Sequence, residues 1–295
     1  MSPAALYDVP APAKLNLFLH VTGRRPEGYH LLHSVFVLID WCDMRHFERR
    51  SDGRLQRHDL GALLPVDDLS LRAARALQRA SGTPLGADLS VQKQVPWGAG
   101  LGGGSSDAAT TLLALNRLWG LHWSRERLQQ IALPLGADVP FFIGGHNAFV
   151  EGIGERLTPL PAGCLDGQRF AVVKPEEAIA TSAIFGSPCL VRATETVIMK
   201  SFLADAELQQ KLMQGFGHND LQPPAEQSCE AVRQVAVWLQ TSFGNSRMSG
   251  SGSAVFARIG TDDLSKAAVL DALPAGWTGR MCRSLDHHPL AGWAG

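Results

Sequence analysis

The 295-residue chain is poor in cysteine, with five thiols at Cys42, Cys164, Cys189, Cys229 and Cys282. Their odd number, wide spacing and lack of any CxxC pair argue against a disulfide framework or a zinc site, and suit a reducing compartment. No run approaches the ~18 apolar residues needed to span a bilayer, and MSPAALYDVPAPAKLNLFLHV lacks the basic-then-apolar order of a secretion signal. A soluble, cytoplasmic protein without a membrane partner is therefore expected. Charge blocks are absent too: 27 basic and 28 acidic residues are mixed along the chain and leave a formal charge of −1. That excludes the electrostatic footprint of nucleic-acid binding and favours a small soluble partner. Lysine is scarce, at six residues, and tyrosine scarcer, at two, so the placement of each carries information. Low-complexity tracts and fixed-period repeats are missing as well.

Glycine, by contrast, is concentrated. PWGAGLGGGSSDAATTLLALN places Gly98, Gly100, Gly102, Gly103 and Gly104, then Ser105 and Ser106, directly before an apolar helix. Such a backbone, nearly bare of side chains, can turn its N–H groups into one concavity, and the positive end of the helix favours an anion there. Ordering each extra glycine costs ~0.5 to 1 kcal/mol relative to alanine, so the loop has to hold something. A P-loop would end in Gly-Lys-Ser/Thr, but Gly104 is followed by Ser105 and the loop contains no lysine. GxGxxG matches at Gly98, Gly100 and Gly103, yet Glu126, at about the right distance for a ribose contact, falls inside a helix that Ser124 opens. A nucleoside triphosphate remains the natural ligand.

The surrounding pattern is mixed. Residues 13 to 21 alternate, with Leu15, Leu17, Leu19 and Val21 on one face and Lys14, Asn16, Phe18 and His20 on the other; the turn GRRPEGYH then leads to a second strand, LLHSVFVLID. Helical spacing covers 67 to 81, with Gly82 beyond it, and strand alternation covers 87 to 95. Helices are expected from about Ser105 to Leu118 and from Ser124 to Leu133, while Pro140 disfavours a central strand at Val139 to Ile143. Two prolines and two glycines at 158 to 168 suggest a domain boundary before the strand RFAVVKP. Further helices are expected near 181 to 186, 201 to 214 and 226 to 240, and RMSGSGSAVFARI reads as a glycine-serine turn feeding a strand. The class is α+β in two domains, residues 1–162 and 163–295.

PAKLNLFLHVTGRRPEGYH, PWGAGLGGGSSDAA, GADVPFFIGGHNAFVEGIGE and MSGSGSAVFA, in this order, resemble the galactokinase, homoserine kinase, mevalonate kinase and phosphomevalonate kinase (GHMP) superfamily. The resemblance implies an N-terminal ribosomal-protein-like α/β domain with the nucleotide loop and a C-terminal ferredoxin-like α+β domain. It implies ATP as phosphoryl donor, held by Pro96, Trp97, Gly98, Ala99, Gly100, Leu101, Gly102, Gly103, Gly104, Ser105 and Ser106, with Lys93 bordering the adenine. Lys14 and Asp138 match the catalytic lysine and aspartate, the aspartate acting as base beside the ammonium. Asn16, Tyr29, His30 and Phe185 match acceptor positions, with the aromatics enclosing a cytosine ring, so the acceptor implied is a cytidine-diphosphate-linked polyol. The Gly250 to Ser253 turn is expected to close over the acceptor diphosphate, and Asn219 and Asp220 match the family in HNDL.

Each residue also has a plainer reading. Lys14 and Lys93 can be exposed strand lysines, Asp138 a solvated helix cap, Phe185 ordinary helix core, Asp107 a solvated early-helix acid, and Asn219 and Asp220 a helix start. Asp68 stands where relatives commonly carry asparagine, which bears on the adenine side. Mg2+ is expected with the triphosphate, its protein ligand unknown. A monomer or weak homodimer is expected. A homoserine or mevalonate type of acceptor, or a nucleotide-binding regulator without turnover, remain the alternatives.

Overall fold

A computed structural model describes residues 2–196, 210–212, 214–260 and 268–294. Two long antiparallel strands, β1 (Ala5–Arg24) and β2 (His30–Arg50), form its spine. Both extend well beyond the alternating stretches because their flanks stay hydrogen-bonded to neighbouring strands, with Ala5 opposite Glu48 and Arg50 opposite Gly86. β3 (Leu55–Asp59), which the sequence pattern does not reveal, pairs in parallel with β4 (Gly86–Gln92), and β4 pairs antiparallel with β2. β5 (Ala148–Glu151) adds to the other end of β2 and carries β6 (Arg156–Pro159).

Four helices cover this part. α1 (Leu69–Ser81) is capped by Asp68, whose carboxylate accepts from Leu71 N, and stops at Gly82 in the left-handed region. Asp68 also pairs with Arg57 at 3.0 Å, so its local role is capping and ion pairing. α2 (Gly103–Leu118) buries every residue from Ser106 to Asn116, and a helix apolar around most of its circumference must lie between layers. α3 (Arg125–Ala132) starts at Ser124 as the spacing predicts, which places Glu126 on a helix. The apolar run at 139 is helix α4 (Val139–Gly144), with Pro140 in its first turn, where a missing N–H costs no hydrogen bond.

The remaining elements are β7 (Arg169–Lys174), α5 (Thr181–Gly186), α6 (Gln222–Ser228), α7 (Glu230–Phe243), β8 (Arg247–Met248), β9 (Val255–Ile259) and β10 (Thr278–Leu285). The helix expected near 226 to 240 is two helices broken at Cys229, whose extended backbone (φ −141, ψ 102) resets the direction. The helix expected over 201 to 214 lies largely outside the described residues. β10 pairs with β7 and then, at Ser284 and Leu285, with Ile39 and Leu38 of β2, so one sheet runs β3-β4-β2-β10-β7-β9-β8. No helix among the described residues is long and apolar enough to cross a membrane.

The two-faced reading of residues 13 to 21 fails halfway. A register shift between Asn16 and Leu19 puts Phe18 in the same cluster as Leu15 and Leu17, while Leu19 and Val21 pack with Val173, Val235 and Met248. One extra residue in a strand exchanges its faces, so alternation by itself could not carry the pattern through. The bulge lies next to Lys14 and Asn16, which line a cavity.

Candidate functional site

The cavity has a volume of about 750 Å3 and lies between the glycine loop before α2, the β1–β2 turn, α5 and the turn after β8. Lys14 enters it from β1. Its backbone N–H donates to Leu101 O at 2.9 Å, which fixes the strand to the glycine loop. Its Nζ donates to Asn16 Oδ1 at 2.6 Å, lies 3.6 Å from Asp138 Oδ2 and stands 4.7 Å from the centre of the Phe36 ring. Burial pulls the ammonium below its ordinary pKa, and Asp138 partly counters that. Lys14 is only 3% exposed, so it is no surface strand lysine. Asp138 sits at the start of α4 without capping it, its side chain turned to Lys14 and the cavity instead.

Asn16 is spent on holding this group in place. Its Oδ1 accepts the hydrogen bond from the lysine ammonium, and its Nδ2 donates to Ser34 Oγ at 3.0 Å. Ser34, a site residue that sequence reasoning missed, becomes visible only through the β1–β2 register.

Gly102 precedes α2 in the left-handed region (φ 71) and offers no side chain to cap it, which leaves first-turn N–H groups for an anion. A Cβ there would lie 2.9 Å from the Phe142 ring and 3.1 Å from Lys14 Cγ, so glycine is what lets the loop close on the lysine. Gly98, Gly100 and Gly102 line the cavity, whereas Ala99 and Leu101 point into the core, 2% and 1% exposed. The loop thus alternates between ligand-side glycines and anchoring apolar residues. Trp97 and Gly104 are exposed, and Ser106 is fully buried, its Oγ without a hydrogen-bond partner among the described residues.

Lys93 and Asp107 depart from their plain readings. Lys93 lies past the end of β4, half-buried, with its ammonium bonded to Asp43 and, at 2.8 Å, to Asp107. Asp107 is 3% exposed and also meets Arg45 at 3.2 Å. Burial would lower the lysine pKa, but the two carboxylates outweigh it and hold the ammonium charged. Asp43 further accepts from Gln94 N and Val95 N. The cluster therefore ties β2 to both ends of the glycine loop, behind the cavity.

The turn after β8 meets that loop backbone to backbone. Ser253 N donates to Gly98 O, Ala254 N to Ala99 O, and Ser249 Oγ to Gly100 O at 3.0 Å. Asn219 braces the turn with Nδ2 bonds to Met248 O and Gly250 O at 2.7 and 2.8 Å, and Asp220 accepts from Val21 N and Thr194 Oγ1. Both therefore do more than start a helix. Their contacts join segments 26 to 199 residues apart, beyond the reach of local pattern.

At the far end stand Tyr29, His30 and Phe185. Tyr29, 61% exposed, leaves a turn closed by Arg25 N to Tyr29 O and by Arg24 Nε to Gly28 O. The Phe185 ring is half-buried and stacks on His30, centres 4.9 Å apart and planes 25° from parallel, so it serves the cavity wall as well as α5. Among the described residues, Asp138 is the one carboxylate lining the cavity, and no cluster of three His, Cys, Asp or Glu suited to a metal occurs. Such a donor set suits a hard cation carried mainly by phosphate oxygens.

A glycine loop at a helix N-terminus, a Lys–Asp pair and an aromatic end meet in one cavity, an arrangement that suits a small-molecule kinase. The model of the GHMP kinase N-terminal domain matches residues 68–146 and that of the C-terminal domain residues 198–278. The chain belongs to the GHMP kinase family. Its relatives include the 4-diphosphocytidyl-2-C-methyl-D-erythritol kinases of Methylibium petroleiphilum, 65% identical with both chains covered completely, and of Albidiferax ferrireducens, 56% identical over 98% of this chain and 96% of the relative. A crystal structure of 4-(cytidine 5'-diphospho)-2C-methyl-D-erythritol kinase aligns with TM-score 0.76 and 32% identity over 93% of this chain and 98% of that one. Homoserine kinase from Cytophaga hutchinsonii, at 15% identity and TM-score 0.71, shares the fold.

Proposed function

We propose that the protein transfers the γ-phosphoryl group of ATP to the 2-hydroxyl of 4-diphosphocytidyl-2-C-methyl-D-erythritol, giving the 2-phosphate and ADP, a step of isoprenoid precursor synthesis. The observation that carries this reading is the Lys14–Asp138 pair, 3.6 Å apart, between the glycine loop and the aromatic end of the cavity. Phosphoryl transfer needs donor phosphates held, charge compensated and the attacking hydroxyl oriented. First-turn N–H groups of α2 and the backbone of Gly98 to Gly104 hold the triphosphate. Lys14, fixed by Asn16, offsets charge on the transferred group and pairs with Asp138. Asp138 accepts the hydroxyl proton as the oxygen attacks phosphorus. Asp138 would be the protein carboxylate at hand for Mg2+, which would offset part of the triphosphate's charge. Tyr29, His30 and Phe185 receive the cytosine ring, and the turn at Gly250 to Ser253 covers the diphosphate between them.

Lys93 borders this site from behind, and its contact with adenine stands as part of the same proposal, together with the division at residues 162/163, a cytoplasmic location and a monomer or weak homodimer. ADP release should be measured with the cytidine-linked acceptor, homoserine and mevalonate side by side. Turnover with the first alone is expected; turnover with either of the others instead, or with none, overturns the reading. Asp138→Asn should retain fold and ATP binding while kcat falls by roughly 10²–10⁴-fold.

A further inference from the structure

Arg192 lies on the irregular strap that follows α5 and crosses β1, where Thr194 N donates to Val21 O at 3.0 Å. Its guanidinium donates to three backbone carbonyls, Phe185 O at 3.1 Å, Ser187 O at 2.8 Å and Leu190 O at 3.1 Å, which fixes the end of α5 that carries Phe185. The fourth donor, Nε–H, points at His30 Nε2, 3.3 Å away. A guanidinium has protons to give and no lone pair to offer, so Nε2 of His30 has to be the acceptor. The ring is then neutral with its proton on Nδ1. Burial, together with the positive charges of Arg192 and Arg24, also lowers the His30 pKa. Among the described residues Nδ1 has no partner, and the ring lines the cavity.

We propose that Arg192 is a positioning residue that sets base specificity, holding His30 as the Nδ1–H tautomer so that the pocket presents a donor to the pyrimidine. Cytosine offers N3 and O2 as acceptors, whereas uracil carries a proton on N3, and a fixed donor facing that proton leaves both unpaired. The inference rests on the reading of this end of the cavity as the acceptor's base pocket. It adds that the choice of base is made by a residue that does not touch the ligand.

Two measurements on the full chain test it. Nitrogen-15 histidine spectra, with the His30 signals identified by their loss in His30→Gln, should show the proton on Nδ1 in the unsubstituted protein and a mixture of tautomers in Arg192→Met. Steady-state kinetics with cytidine- and uridine-linked acceptors should show the acceptor KM of Arg192→Met raised about tenfold with kcat little changed. The preference for cytidine should fall by a similar factor, and Arg192→Lys, which keeps a donor, should recover part of both. A His30 proton on Nε2 in the unsubstituted protein overturns the proposal, and that spectrum decides even if Arg192→Met does not fold. A folded Arg192→Met with unaltered base preference also overturns it. If the unsubstituted chain does not phosphorylate the cytidine-linked acceptor, the functional reading falls, while the tautomer measurement stands separately.

Discussion

Replacing Gly100 with alanine tests whether the two glycine turns must touch. Gly100 has φ +71, and a Cβ there would lie 2.1 Å from Ser249 O, 3.0 Å from Ser249 C and 3.1 Å from Gly252 N. Ordinary contact begins at 3.4 Å, so the turn after β8 would retreat by about 1.3 Å, and since the obstructing atoms are backbone, no rotamer change can absorb the clash. The left-handed conformation costs an L-residue ~1–2 kcal/mol and overpacking ~1–3 kcal/mol, about 2–5 kcal/mol together. Retreat also strains the bonds from Ser253 N to Gly98 O and from Ala254 N to Ala99 O. A displacement of that size at a reacting centre costs on the order of 10²-fold in rate, more than the fraction unfolded would explain. Gly104→Ala is the control four residues away. Its Cβ would meet only Leu69 Cδ1 at 3.8 Å, and its φ is not positive. Within the first turn of α2, alanine should raise stability by roughly 0.5–1 kcal/mol. Thermal melts and kcat measured on both variants decide the matter. A Gly100→Ala protein with unchanged Tm and kcat would refute the backbone contact between the turns.

Lys93→Met should destabilise by about 3–5 kcal/mol in denaturant titrations, because it leaves Asp43 and Asp107 short of a counter-charge in the interior; a loss below 1 kcal/mol would mean the cluster is solvated. Tyr29→Ala removes an exposed ring and should raise the acceptor KM with little change in Tm, whereas an unchanged KM excludes stacking at that position. Burial holds His288 down to about 3 and His20 down to about 4. An unfolded histidine takes its proton near 6.5, so the unfolded chain binds more protons below that pH and stability is lost as pH falls from about 6.5 towards 4. Each histidine contributes up to about 1.4 kcal/mol per pH unit. His288→Asn keeps an acceptor for Leu290 N and should flatten the slope of unfolding free energy against pH, and a slope as steep as before removes His288 from the account.

Local chemistry made much of this protein legible in its sequence. Five glycines before a helix pointed to a backbone-lined anion loop, and Gly98, Gly100 and Gly102 take the positive φ that glycine adopts without a side-chain clash. Ser124 and Gly82 mark helix ends through their own short-range bonds. The segments around Lys14, Asp138, Tyr29, His30 and Phe185 carried a resemblance strong enough to name a family. Tertiary structure decided what these residues are to one another. A bulge in β1, invisible in the alternation, turned Phe18 to one core and Leu19 to another. Lys93 was assigned to a buried charge cluster only when β2 brought Asp43 beside α2. The roles of Asn219, Ser249 and Arg192 rest on contacts across 29 to 233 residues. Sequence sets the conformations each short segment can adopt, whereas pairing between distant segments depends on which surfaces pack, and that is fixed only once the sheet and its two glycine turns have closed on each other.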